Sequence, residues 1–265
     1  MPPARKPATA PRPNRKVRPG SRDGAIELTL ADGCAIATLN RPAAHNRVSQ
    51  RMALELMELA ETVEDDESIL AFAITGAGAD FCAGFDPDVD SRLVETLALI
   101  AKPTVAILNG DVYDEGLELA LALDLRVGVV GARSALTQLR RGTLPHFGGT
   151  QRLPRLIGAT RGLLMILTGE PLSGQDAMQL GLVTYLARDR PELARVAREL
   201  LMTLASRGTL GVRMVKDAVR KGYDMTIEQG IRLEEDLYAL LQTSADRAEG
   251  VQAFLAKRRP LFKGA

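Results

Sequence analysis

Asp114, Glu115 and Glu118 cluster at the predicted start of a helix, and Glu118 runs straight into the apolar stretch Leu119-Ala-Leu-Ala-Leu123. A carboxyl group carried into an apolar element loses its water, its pKa rises, and it becomes suited to acid–base work near neutral pH. Acids in a first turn are also what a helix dipole favours for structural reasons alone. Ala83-Gly84-Phe85-Asp86 follows Phe81-Cys82. A small residue and a glycine after a strand let the backbone turn sharply, and such a turn either aims N–H groups at a ligand or simply reverses the chain. His146 lies in the turn-rich run Leu144-Pro-His-Phe-Gly-Gly149, where an imidazole serves as a proton carrier or as polar loop surface.

Other chemistries are excluded or unsupported. The chain has two histidines, His45 and His146, so a three-histidine zinc site is impossible and a Ser-His-Asp triad has to use one of them. Its two cysteines, Cys34 and Cys82, lack metal-ligand spacing and suit a reducing compartment. Gly76-Ala77-Gly78 follows a strand-like run, but the remainder of a dinucleotide fingerprint is missing, and no P-loop pattern occurs.

The elements that must position these groups alternate along the chain. Ala25-Leu30 and Cys34-Leu39 are β-prone runs flanking Ala31-Asp32-Gly33, a hairpin signal. From Gln50 to Asp65 the residues Met52, Leu56, Leu59 and Val63 recur at helical spacing. Strands are predicted at Ile69-Thr75, Thr104-Leu108 and Leu125-Val130, with a short helix at Gly116-Leu123. Helical windows follow at 149–156, 161–167 and 175–180, then a strand at Leu182-Leu186, and helix from about Glu192 onward. Strands followed by helices predict an α/β core with a buried, mostly parallel sheet.

At 265 residues and 28.5 kDa, with 46% hydrophobic and 25% charged residues, the chain has the composition of an ordinary globular protein. No window approaches the roughly 18 consecutive apolar residues of a membrane span. Trp is absent, so aliphatic side chains must fill the core. Residues 1–22 hold six prolines, seven basic residues and no acid, which leaves the remainder at −6 against an overall +1. That segment is expected to be a solvated, disordered tail. No nucleic-acid motif follows it, no signal peptide is evident, and the expected location is cytoplasmic.

In order along residues 24–264, the chain resembles the crotonase family, the enoyl-CoA hydratase/isomerase superfamily. The resemblance rests on Leu39-Asn40-Arg41-Pro42 with Asn46, Ile74-Thr75-Gly76-Ala77-Gly78, Phe81-Cys82-Ala83-Gly84-Phe85-Asp86 and Lys102-Pro103-Thr104-Val105-Ala106 with Asn109-Gly110. It continues through Gly148-Gly149-Thr150-Gln151-Arg152-Leu153, Leu167-Thr168-Gly169-Glu170, Glu249-Gly250, Phe254, Lys257-Arg258-Arg259-Pro260 and Phe262-Lys263.

The resemblance implies an α/β fold, a crotonase-like (ClpP/crotonase) spiral of ββα units. After the tail (1–22) it implies a core at 23–200 and a helical C-terminal trimerisation region at 201–265. It implies acyl-CoA substrates, coenzyme A entering only as part of the substrate, and a homotrimer or hexamer; the sequence itself leads to the expectation of no metal and no nucleic-acid or membrane partner. The shared chemistry is an oxyanion hole of two backbone N–H groups that stabilises a thioester enolate. Residue by residue, the donors fall at Phe85 and Glu115, and the first catalytic glutamate at Glu118.

Two departures stand out. The usual Gly-Gly-Gly stretch reads Asp114-Glu115-Gly116, which places at Glu115 a side chain that disfavours positive φ and repels an oxyanion. The second catalytic glutamate is Gln138, which holds a water but is no ordinary acid or base. His146 aligns near a position where some relatives carry a reactive carboxylate, and so is a catalytic candidate or pocket wall. The stretch from Asp86 to Lys102, which shapes the acyl pocket, is shorter than usual. Coenzyme A is expected at Ala43, Ala44 and His45, and at Tyr238 and Lys257 of a C-terminal helix, its own or a neighbour's. The expected activity is that of an enoyl-CoA hydratase-like lyase. The alternatives are an isomerase, hydrolase or decarboxylase on the same scaffold, or a weakened family member that binds acyl-CoA.

Overall fold

The computed structural model describes residues 15–17 and 25–264. The chain starts with strand β1 (Arg15–Val17), the hairpin β2 (Ile26–Ala31) and β3 (Cys34–Leu39), and helix α1 (Gln50–Asp65). Next come β4 (Ala71–Gly76), α2 (Arg92–Leu99), β5 (Thr104–Leu108), β6 (Val112–Tyr113), α3 (Glu115–Ala122), β7 (Leu125–Val129) and β8 (Arg133–Ala135). Helices α4 (Gly149–Ile157) and α5 (Ala159–Thr168) precede β9 (Leu172–Ser173), α6 (Gly174–Gln179) and β10 (Tyr185–Ala187). Four helices close the chain: α7 (Arg190–Ala205), α8 (Thr209–Gly222), α9 (Ile227–Gln242) and α10 (Ala245–Leu255).

Local chemistry accounts for the early elements. Asp32 and Gly33 both take positive φ, 52° and 76°, which is what a two-residue hairpin turn needs. Ser49 caps α1 by accepting from the Met52 N–H, and Met52, Leu56, Leu59 and Val63 form its buried stripe.

The large sheet runs β1-β2-β3-β4-β5-β7-β10; its β1-β2-β3 portion is antiparallel and every pairing from β3 to β10 is parallel. Side chains alternate across it. Phe72 and Ile74 of β4 and Ala106 and Leu108 of β5 join the core with α1, α2 and α3. Ala71, Ala73, Val105 and Ile107 face the other way and pack under Leu193, Ala197 and Leu201 of α7. A sheet covered on both faces explains why its strands read as unbroken apolar runs. From β5 onward the chain steps between sheets: β5 and β7 lie in the large one, β6, β8 and β9 in a small one, with helices between. This is the spiral of ββα units.

Some expectations shift. Arg15–Val17, within the segment expected to be a solvated tail, pairs with β2 as an edge strand; the other residues of 1–22 lie outside the described residues. Helix α2, not anticipated, buries Leu93, Val94 and Leu97 within the shortened stretch. The strand expected at Leu182–Leu186 is β10 at 185–187, because buried Leu182 and Val183 anchor the turn before it. Residue 200, the expected end of the core, lies within α7, and Leu201 still packs on the sheet. The small sheet was also not anticipated, since strands of two or three residues show no periodicity. Among the described residues, no helix is long and apolar enough to cross a membrane.

Candidate active site

The loops after the parallel strands β3, β4 and β5 converge at their carboxyl ends, where α/β sheets place ligands. Two buried asparagines tie these loops together. Asn46 donates to the carbonyls of Ala77 and Asp80 at 2.8 and 2.7 Å and accepts from the Arg41 N–H. Asn109 accepts from the Gly76 N–H and donates to the Asp80 carbonyl. The turn at Ala43, Ala44 and His45 is thereby locked beside Gly76–Asp80; Ala43 and His45 are exposed, and His45 Nδ1 stands 2.7 Å from Asp80 Oδ2.

Helix α3 brings the acids in. Apart from Glu115 and Glu118 its residues are apolar or glycine, and it is buried from Gly116 to Ala122. Gly116 lets it approach the Cys82 segment, since a Cβ there would stand 2.8 Å from Cys82 Sγ and collide with the Cys82 carbonyl. The helix N-terminus thus faces Phe85, whose ring meets Phe147 edge-on at 5.1 Å. Glu115 is helical, and the positive φ expected of it falls instead on Asp114, at φ 52° and ψ −125°. That conformation is held from the side chain: buried Asp114 accepts from the Thr137 hydroxyl and from Arg141 Nη1, each at 2.9 Å.

Glu118 is fully buried. Its Oε1 accepts from the N–H groups of Phe147 and Gly149 at 2.8 and 2.7 Å, and its Oε2 from Gln138 Nε2 at 3.1 Å. Gly149 is a glycine of necessity, because a Cβ would stand 3.0 Å from Glu118 Oε1 and 2.9 Å from Pro145 Cβ. Burial pushes the Glu118 carboxyl up to about 7, against those two N–H bonds and with help from the charges of Glu115 and Asp114. Gln138 is buried as well, and its Oε1 has no hydrogen-bond partner among the described residues. A buried acceptor left open wants a donor, and water is the smallest one.

The structure therefore unites Phe85, Glu115, Glu118 and Gln138. Glu115 enters in an unexpected way: its Oε2 accepts from the Phe85 N–H at 3.2 Å. His146 is not among the partners of Glu118; it is exposed, its ring 4.2 Å from that of Phe147. Tyr238 lies on α9 and Lys257 just beyond the end of α10, not on one helix as expected, and neither side chain makes a hydrogen bond or ion pair among the described residues. Cys82 is inert as a nucleophile, its thiol pushed up to about 12 by burial.

Several contributors escaped sequence reasoning. Arg47 donates to the carbonyls of Ala83 and Phe85 and lies 3.5 Å from Asp86, with no motif to betray it. The N–H groups of Phe147 and Gly149 were hidden in a turn whose only visible signal was its glycines.

Comparison with known proteins gives the family and the fold. The family model described as enoyl-CoA hydratase/isomerase matches residues 29–265. The chain is 34% identical to (E)-benzylidenesuccinyl-CoA hydratase of Thauera aromatica, over 91% of this chain and 99% of the relative. It is also 34% identical to 1,2-epoxyphenylacetyl-CoA isomerase of Escherichia coli, over 88% and 95%. The crystal structure of an enoyl-CoA hydratase from Bacillus anthracis superimposes with a TM-score of 0.87 at 31% identity, covering 91% of this chain and all (100%) of the other.

Proposed function

The chain belongs to the enoyl-CoA hydratase/isomerase family, and from that premise we propose that it is an acyl-CoA enzyme, an enoyl-CoA hydratase-like lyase with Glu118 as its base. The observation that carries this reading is the buried Glu118–Gln138 pair: a carboxyl group raised to about 7 beside an amide oxygen with an open acceptor. A water donating to Gln138 Oε1 and to Glu118 would be held and activated together. As the water oxygen bonds to the β-carbon of an enoyl thioester, Glu118 takes its proton and the double-bond electrons move onto the thioester oxygen. The N–H groups of Phe85 and Glu115 stabilise that oxyanion. Glu118 then returns the proton to the α-carbon, so a single carboxyl group completes the addition of water. Similarity to both a hydratase and an isomerase leaves the isomerase, hydrolase and decarboxylase variants of this enolate chemistry as alternatives on the same residues.

Coenzyme A enters only with the substrate, at Ala43, Ala44 and His45, with Tyr238 and Lys257 offered to a neighbouring copy. Helices α8 to α10 form the trimerisation region, and His146 belongs to the pocket rim rather than to the proton path. A second reading, an acyl-CoA binder with weakened turnover, is favoured by the Glu115 carboxylate resting on the Phe85 N–H.

Crotonyl-CoA hydration, followed as loss of the conjugated enoyl-thioester absorbance, tests the reading. The native chain is expected to turn over and Glu118→Gln to lose about a hundredfold or more. Measurable binding of the ester without turnover in the native chain would overturn short-chain hydration and favour the second reading.

A further inference from the structure

The Phe85 N–H has one hydrogen to give, and the chain's own Glu115 already takes it. The bond spans thirty positions of sequence, so it is no cap of α3, which Glu115 itself begins. A Cβ on Gly84 would stand 2.6 Å from Glu115 Oε2 and 3.1 Å from Arg47 Nη1. The carboxylate therefore lies over the Gly84–Phe85 backbone with a guanidinium across from it. Arg47 is fixed there by the carbonyls of Ala83 and Phe85. Glu115 is only half-buried, so its side chain has room to rotate away.

We propose that Glu115 is a resident competitor for the acyl group: its carboxylate occupies the acceptor place at the Phe85 N–H, and an acyl-CoA ester must displace it before the thioester carbonyl can be polarised. The proposal rests on the acyl-CoA reading above. A carboxylate and a thioester oxygen are both acceptors and exclude one another from a single N–H. The developing enolate and the carboxylate are also like charges, so sharing the hole costs more as the reaction advances. Arg47 supplies the displaced carboxylate with a cation to turn toward. The penalty falls only on ligands that carry a carbonyl at this position; coenzyme A itself does not meet it.

That selectivity sets the experiment. Butyryl-CoA, a saturated thioester with no double bond to hydrate, and free coenzyme A are titrated calorimetrically into the native chain, Glu115→Ala and Glu115→Gln. Glu115→Ala is expected to bind butyryl-CoA about tenfold tighter, about 1.4 kcal/mol, with its affinity for free coenzyme A unchanged. Glu115→Gln, which keeps a neutral acceptor on the same stem, is expected to fall between. A butyryl-CoA to coenzyme A affinity ratio that is the same in all three, or lower in Glu115→Ala, overturns the competitor role and leaves the acyl-CoA reading standing. Absence of binding by either ligand to all three folded chains overturns the acyl-CoA reading, and this proposal with it.

Discussion

Glu118 is a carboxyl group kept from water but supplied with two N–H donors, and its behaviour with pH follows from that balance. Its ordinary value of 4.5 is raised to about 7, chiefly by burial. Between those values the folded chain holds a proton that the unfolded chain has released. Stability from this group is therefore complete below about 4.5, falls as pH rises through the window, and is gone above about 7, a loss of at most about 3 kcal/mol. Urea unfolding at pH 5 and pH 8 checks the sign: relative to the native chain, Glu118→Gln should gain stability at the higher pH, and an unchanged difference would contradict the burial. The same value predicts that kcat/KM for hydration falls on the acid side of about pH 7, as the base becomes protonated. Gln138→Glu should raise hydration about tenfold or more by adding a second titrating group. If Glu118 alone suffices, the pH–rate profile of that variant will match the native one.

Helix α3 and its neighbours show how elements carry the site. The turn into α3 stores backbone strain at Asp114 and offsets it through Thr137 and Arg141. Asp114→Ala loses those bonds and keeps a Cβ at positive φ, whereas Asp114→Gly loses only the bonds. Thermal or urea unfolding should find the glycine variant more stable than the alanine one by about 1 kcal/mol. At the other end of α3, Arg126 of β7 donates to the carbonyls of Ala120 and Leu123 and to Leu182, which gives a buried cation its partners. Helix α8 is clasped to the core by Asp124, which accepts from Lys216 at 2.6 Å, from Arg220 at 2.7 Å and from the Thr104 N–H. Asp124 is mostly buried, so Asp124→Ala takes the anion from two cations, which keep only the carbonyls of Ala98, Ile100 and Lys102, and leaves a backbone donor open. It should cost about 2–4 kcal/mol in urea unfolding, more than Lys216→Ala.

At the scale of the whole molecule, the C-terminal region leaves large apolar side chains exposed. Ile227 is 78% exposed, Phe254 82% and Leu261 75%, with Tyr223, Ile231 and Tyr238 also uncovered. Apolar surface gathered on α9, α10 and the segments that flank them suits burial against further copies of the chain, in keeping with the proposed trimer. Sedimentation should give a mass of three chains or a multiple of three. Ile227→Asp combined with Phe254→Asp should drive it toward one, and a native chain that sediments as a monomer would overturn the assembly.

What the sequence by itself determined is what short-range chemistry controls. Helix α1 has the bounds its apolar spacing predicts, the Asp32-Gly33 turn sits where turn residues place it, and β5 spans Thr104–Leu108 as read. The carboxyl group expected to be desolvated, Glu118, is desolvated, because the apolar run behind it forces α3 inside. Tertiary structure alone decided the rest. The strands of the small sheet and the short helix α2 exist through their packing partners rather than their own patterns. Positive φ fell on Asp114 instead of Glu115, since the side-chain partners Thr137 and Arg141 lie more than twenty residues onward. His146 sits outside the Glu118 cluster although its neighbour Phe147 gives Glu118 a backbone N–H, because the loop leaves the imidazole exposed against the outer side of the Phe147 ring. The meeting of Glu115 with the Phe85 N–H joins the loop after β4 to the start of α3, and only the folded sheet brings β4 and β5, the strands that lead to them, side by side.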